Sequence, residues 1–364
     1  MTRLASLDAV RGISALVVFF GHAGDLWLRG AGGSQWLAES LQQSARYAVV
    51  VFFCLSGFAI AMSLHDNMQR RFSILRYSLA RLVRVVPPLM VVLALVWLIS
   101  VATNVYGDAL GFRPFGTRQH YQMSLIPALG ALGMVPIGIN SPLWSLQYEI
   151  QLYAIAGLGT WLFVTKDSIH RLAAMVLLIA FFIGTGMAPP NKFHLDIRAP
   201  YFAAFAFGAL GYAGRHTSDA VLVVVGIVAT VGVVLLTILG ASPTGAALGI
   251  LLWNVTILVA AIAATAAVVA LSRRDTLSSL RSLGSWSYTL YIVHYPLLLL
   301  AAGLAEASSN LHAVWLVGAP VALLVAYALG RLVERPHQQR AWLSAVFLRA
   351  PRMKSKNAEG QPGT

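Results

Sequence analysis

The sequence predicts an all-α, polytopic membrane protein of about ten transmembrane helices, with both termini cytoplasmic. Three observations predict it. Of 364 residues, 58% are hydrophobic and only 11% charged, whereas a soluble domain carries about 25% charge. Apolar runs of about 20 residues recur along the whole chain, the length a helix needs to cross the hydrocarbon core. The cations also cluster in alternate connections.

The ten expected spans lie near 7–27, 45–64, 86–105, 143–163, 172–187, 199–214, 220–240, 246–271, 286–304 and 313–333. Segment 122–138 is apolar but short and interrupted by Pro127, Gly130, Gly133 and Pro136. It reads as interfacial or re-entrant. Charge decides between this and an eleventh crossing. With the N-terminus inside, 20 of the 26 Lys and Arg residues fall on inside positions and 6 outside. If 122–138 crossed, later loops would swap sides and the division would be 9 against 17. The net charge of +13 is thus explained by cytoplasmic loops facing a bilayer, not by nucleic-acid binding.

No polar linker divides the apolar runs, so residues 1–345 form one membrane domain. Residues 346–364 read as a basic, disordered cytoplasmic tail. The first apolar run lacks a small-residue cleavage site and is expected to stay as a helix. The single cysteine, Cys54, excludes an internal disulfide. No metal is expected, because the nine histidines show no H-E-x-x-H or similar spacing. No G-x-S-x-G of a serine hydrolase occurs.

Polar groups inside apolar spans carry the functional information, since each charge near the bilayer centre costs about 2.5–3.5 kcal/mol by insertion scales. Arg11 and His22 lie eleven residues apart in the first span. Eleven residues make about three turns, so both share one face, separated by about 16 Å of rise. His22 and Glu149 are each expected a few residues below the outer surface. At similar depth, the carboxylate could fix the imidazole's tautomer for general-base work, or the two could simply tie helices together. Arg11 could contact an anion or pair with Asp8 at i−3.

The run from Gln69 to Pro88 carries five arginines, with Arg81 and Arg84 on one face. It fits either a lipid-surface amphipathic helix, with Pro87 and Pro88 ending it or starting the next span, or a docking site for a phosphate-bearing ligand, with Arg76 alongside. Near 286–304, Tyr288, Tyr291 and His294 recur every three residues as a polar-aromatic ridge. Segments 106–142 and 188–198 carry the aromatic and polar residues Tyr106, Asp108, His120, Tyr121 and His194.

In this order these pieces resemble the acyltransferase family 3 of integral membrane O-acyltransferases, from Leu7 to about Arg340. The matching motifs are R-x10-H at Arg11 to His22, Phe53-Cys-Leu-Ser-Gly-Phe58, R-x-x-R at Arg81 and Arg84, and Trp144-Ser-Leu-Gln-Tyr-Glu149. Ser287-Tyr-Thr-Leu-Tyr-Ile-Val-His-Tyr-Pro296 and Val333-Glu-Arg-Pro336 complete them. The resemblance implies acetyl transfer from acetyl-CoA to a hydroxyl of a cell-surface carbohydrate, in a bacterial inner membrane. Other members take acceptors such as macrolides. The family's essential residues carry over to Arg11, His22, Arg81, Arg84 and Glu149. His22, Glu149 and Arg11 become the catalytic candidates. Arg81, Arg84, Arg76 and Arg11 are the donor-binding candidates, and Trp144, Tyr288, Tyr291 and His294 the substrate-binding ones. Some members carry an added extracytoplasmic esterase-like domain, and none is expected in the short stretch after the tenth span here. The expected partners are a carbohydrate acceptor and the lipid bilayer, with a homo-oligomer compatible and no nucleic acid. A proton-coupled secondary transporter is the rival class, since buried His, Glu and Arg suit it too. Against it, no matched pair of interrupted helices recurs in two halves.

Overall fold

The computed structural model describes residues 4–106, 142–187, 198–241, 247–308 and 310–334. Most of segments 106–142 and 188–198, including 122–138, and the tail at 346–364 lie outside them.

The described residues form ten α-helices and one 3-10 helix, with no strand among them. The helices are α1 (Ala5–Gly30), α2 (Gln35–Gln69), α3 (Ile74–Tyr106), α4 (Leu143–Val164) and α5 (Ser168–Met187). They continue with α6 (Arg198–Ala213), α7 (Asp219–Ile238), α8 (Ala247–Ser272), α9 (Ser287–Ala307) and α10 (Leu311–Val333). The 3-10 helix, Ser278–Ser285, precedes α9. Seven of the ten, namely α1, α2, α3, α7, α8, α9 and α10, are long and apolar enough to cross a membrane. In a bilayer every backbone group must be satisfied within the protein, and a helix does this within its own segment.

Two sequence expectations are corrected. The arginine-rich run is not a separate surface helix ended by prolines. It is the opening of α3, which runs unbroken through Pro87 and Pro88. Neither proline can donate to the carbonyl four residues back. The helix is held straight through by its packing, and Tyr288 Oη donates to the carbonyl of Val85 beside the prolines at 3.2 Å. Second, α2 begins ten residues early, because the Ser34 side chain accepts from the Leu37 amide and caps it.

Helix α9 is the centre of the bundle, with 72% of its spanning window buried, whereas α7 is peripheral at 6%. Around α9 stand α1, α3 and α10, and α2 packs on α1, α6 and α8. The α2–α6 crossing is a backbone contact. A Cβ on Gly57 would lie 1.9 Å from the carbonyl oxygen of Phe205, and one on Gly208 would lie 2.0 Å from that of Cys54. Small residues at such crossings let membrane helices approach closely.

Candidate active site

A narrow cleft of about 50 Å³ runs between α1, α2, α3, α4 and α9. Its polar lining is Arg11, Arg84, Ser145, Glu149, Ser287, Tyr288 and Tyr291. These residues come from segments hundreds of positions apart, so helix packing alone assembles them.

Arg11 is clamped at its mouth. Its Nη2 donates to Asp8 Oδ1 and to the carbonyl of Gly284, both at 2.8 Å, and its Nε donates to Ser287 Oγ at 3.1 Å. The clamp depends on Gly284 in the 3-10 helix, where a Cβ would sit 2.3 Å from the Asp8 carbonyl oxygen. The i−3 pair with Asp8 and the cleft-lining position therefore coexist: Asp8 and the α9 entrance hold the guanidinium at the cleft.

Glu149 faces the same cleft. Its Oε1 accepts from Ser56 Oγ at 2.6 Å and from the hydroxyl of Tyr153, one turn later on α4. Arg84 lines the cleft without a hydrogen-bond partner among the described residues. Arg81 does not line it. Its Nη2 donates to Ser63 Oγ, and its guanidinium lies 5.4 Å and 5.8 Å from the rings of Tyr77 and Tyr153. The two paired arginines thus face different neighbours: Arg84 presents donors to the cleft, and Arg81 backs the tyrosine that holds Glu149. Arg76 lies outside this lining, half-buried two turns nearer the start of α3.

His22 is where the expectation of an imidazole–carboxylate pair fails. Its ring stacks on His294, with centroids 5.4 Å apart and planes at 27°, and meets Tyr295 edge-on at 5.3 Å. Glu149 is bound to Ser56 and Tyr153 instead. The physical reason is axial offset. Gly21, beside His22, packs against Leu41 and Ala45 of α2, while Glu149 meets Ser56. Eleven residues from Ala45 to Ser56 are about 16 Å of helix rise. Helix α4 starts within the bundle: the Pro142 carbonyl at its head accepts from Tyr291 Oη at 3.3 Å, one turn into α9. Glu149 is therefore level with Arg11, not with His22.

His294 links the two levels. It is fully buried. Its Nδ1 lies 2.8 Å from the Tyr291 carbonyl and 3.2 Å from that of Leu290. Carbonyls only accept, so Nδ1 carries the hydrogen and Nε2 presents a lone pair. That Nε2 has no partner among the described residues. An unsatisfied buried acceptor costs about 1–3 kcal/mol and marks a place where a ligand can pay it back. Tyr291, whose ring centroid is 6.0 Å from that of His294, lines the cleft and pairs with Ser145 Oγ. Tyr288 also lines it. Trp144 packs instead against Tyr148 and Tyr201, 5.8 Å and 5.1 Å away, one wall behind.

Several site residues escaped sequence reasoning. Ser56, Ser145, Tyr153, Ser287 and Tyr295 carry no assigned part in the sequence analysis, although most stand inside the quoted motifs. Arg46 is one of the six cations that the charge count places outside, yet its guanidinium lies 5.6 Å from the Trp253 ring centroid, inside the bundle. Glu334 stood in the closing V-E-R-P motif without a role. Just past α10, its Oε1 accepts from the Thr289 amide at 2.6 Å and so caps the first turn of α9.

Burial raises the Glu334 carboxyl above its ordinary range, opposed by the Thr289 hydrogen bond and the charges of Arg11 and Arg84. The folded state therefore favours the neutral carboxyl. The group's contribution to stability is present at low pH and is lost as pH rises through the raised value. Glu334→Gln, which keeps an acceptor but never ionises, should gain in melting temperature relative to the parent over the window that opens at the ordinary carboxylate pKa of about 4.3 and runs up through the raised value. A difference that stays constant over that window would reject the assignment.

A family model described as an acyltransferase domain, that of acyltransferase family 3, matches residues 4–331. No curated protein and no solved structure matches the chain.

Proposed function

The chain belongs to acyltransferase family 3 and is a membrane acyltransferase, and from that premise we propose that it moves an acetyl group from acetyl-CoA to a hydroxyl of a cell-surface carbohydrate. The supporting observation is the cleft itself: a guanidinium with free donors at one level, a carboxylate opposite, and a two-histidine stack above. We place the protein in a bacterial inner membrane with ten crossings and both termini in the cytosol, following the distribution of cations.

The residues fit the donor in the following parts. Arg84, without a hydrogen-bond partner among the described residues, and the clamped Arg11 would meet anionic or carbonyl oxygens of the donor at the cleft. Arg76, about 12 Å nearer the helix start on ideal rise, would meet the nucleotide phosphates. Arg81 acts through Tyr153 and Glu149 as a positioning residue. Acetyl-CoA supplies the activated carbonyl as a thioester.

His22 removes the proton from the acceptor hydroxyl as its oxygen attacks that carbonyl. The C–O bond forms, the C–S bond breaks, and the imidazolium returns its proton to the departing thiolate. Free CoA and the acetyl ester result. His294 Nε2, with its bare lone pair, accepts a hydrogen bond from the acceptor. Glu149, at the arginine level, holds the donor-side geometry and not the imidazole's tautomer. Tyr288 and Tyr291 shape the path between levels, with Trp144 packed behind that wall.

The test is thiol release. Purified protein in vesicles should liberate free CoA from acetyl-CoA only when a hydroxyl acceptor is present. A proton-coupled carrier would move substrate and leave the thioester whole. Arg84→Ala should raise the KM for acetyl-CoA about tenfold or more, the loss of a charge-assisted contact, with a smaller change for acceptor. An unchanged donor KM would remove Arg84 from donor binding.

A further inference from the structure

A second cleft, of about 540 Å³, opens where α2, α6 and α8 end. It is lined by Leu4, Phe58, Met62, Asp66, Tyr212 and Arg215, with His216, Ser272 and Arg273 completing it. It is separate from the site above. Leu4, Leu7 and Val10 of α1 pack against Phe58 and Val268 on this side, whereas Arg11 turns to Gly284 and Ser287 on the other.

Its charges do not satisfy one another. Arg215 is held over the Tyr212 ring at 4.4 Å, and its Nη1 donates to the Tyr212 carbonyl at 3.0 Å. Its other donors, and the carboxylate of Asp66, have no hydrogen-bond or ion-pair partner among the described residues. Arg273 is steadied from behind by Asp219 at 3.1 Å. One cleft thus holds two guanidinium groups and an unpaired carboxylate, set apart from each other. A simple phosphate would be repelled by Asp66. A simple cation would be repelled by the arginines. A ligand bearing both charges satisfies all three groups. The C-terminal ends of three helices around the cleft add carbonyl character that favours the cationic part.

Leu4, Phe58 and Met62 give the cleft an apolar wall, and the helix ends mark the level where a bilayer's headgroups begin. We infer that this cleft binds the phosphoethanolamine headgroup of a membrane lipid, its phosphate on Arg215 and Arg273, its ammonium on Asp66, and its glycerol end along Leu4, Phe58 and Met62. The inference rests on the chain being embedded in a bilayer, not on the identity of donor or acceptor.

The experiment uses the full chain in nanodiscs of defined lipid, followed by mass spectrometry of lipid retained through detergent exchange. The wild type should retain phosphatidylethanolamine about tenfold over phosphatidylcholine of the same acyl chains, the scale of one charge-assisted hydrogen bond. Asp66→Asn, nearly isosteric at a carboxylate without a partner, should abolish that preference. Arg215→Gln should lower retention of both lipids. Equal retention of the two lipids by the wild type would overturn the proposal, as would a preference for phosphatidylglycerol, which reads as anion binding alone. An undiminished preference in Asp66→Asn would do the same. Because the readout is bound lipid, this result and the thiol-release result can fail independently.

Discussion

His22→Ala should lower acyl transfer by at least about 10²–10⁴-fold, the usual contribution of a positioned general base, while the protein stays folded and inserted. The stack with His294 and Tyr295 explains both halves. Among the described residues, the imidazole makes no hydrogen bond whose loss would unpick a helix contact. Its loss leaves His294 beside a space of ring size and removes the group next to the unpartnered Nε2. Acceptor-dependent CoA release, measured beside the melting curve, reads the two effects separately. Retained turnover would take His22 out of the chemistry. The same variant would also block a route through an acetyl-imidazole intermediate, so His22→Ala tests the residue and not the choice of route.

Gly57→Ala should destabilise the fold by about 3 kcal/mol, the upper range for overpacking. The added methyl would lie 1.9 Å from the Phe205 carbonyl oxygen, and that neighbour is backbone that no rotamer can move aside. The helices must separate. Ser56, next in sequence, would then carry its hydroxyl away from Glu149, so donor affinity should fall with stability. Gly208→Ala should have a similar cost, and the double variant should cost less than the sum, since both relieve one crossing. Gly159→Ala is the control. Nothing lies within 4 Å of its added Cβ, and removing a helical glycine should gain about 0.5–1 kcal/mol. If Gly57→Ala melts like Gly159→Ala, the α2–α6 contact does not set the stability.

Much of this was legible in the chain. The apolar runs named ten segments, and ten α-helices stand among the described residues, seven of them of membrane-crossing length and composition. The 3.6-residue period put Arg11 and His22 on one face, and both do turn inward toward α9. The same period failed where it was asked for depth. Glu149 was set beside His22 by counting from assumed helix ends, but α4 starts within the bundle, at Tyr291. The α3 start was misread because proline was treated as a helix stop. Packing through Tyr288 and the neighbouring helices carries the chain past it.

Apolar run length, cation placement and helical periodicity are properties of neighbouring residues, and they alone determined that this is a helical membrane protein with an inward-facing Arg11–His22 stripe. How far one helix slides along another is a property of residues far apart in sequence. It is decided by close contacts such as Gly57 on Phe205 and Gly284 on Asp8. That sliding, visible only in three dimensions, put Glu149 with the arginines, paired His22 with His294, and left two opposite charges unpaired in a second cleft.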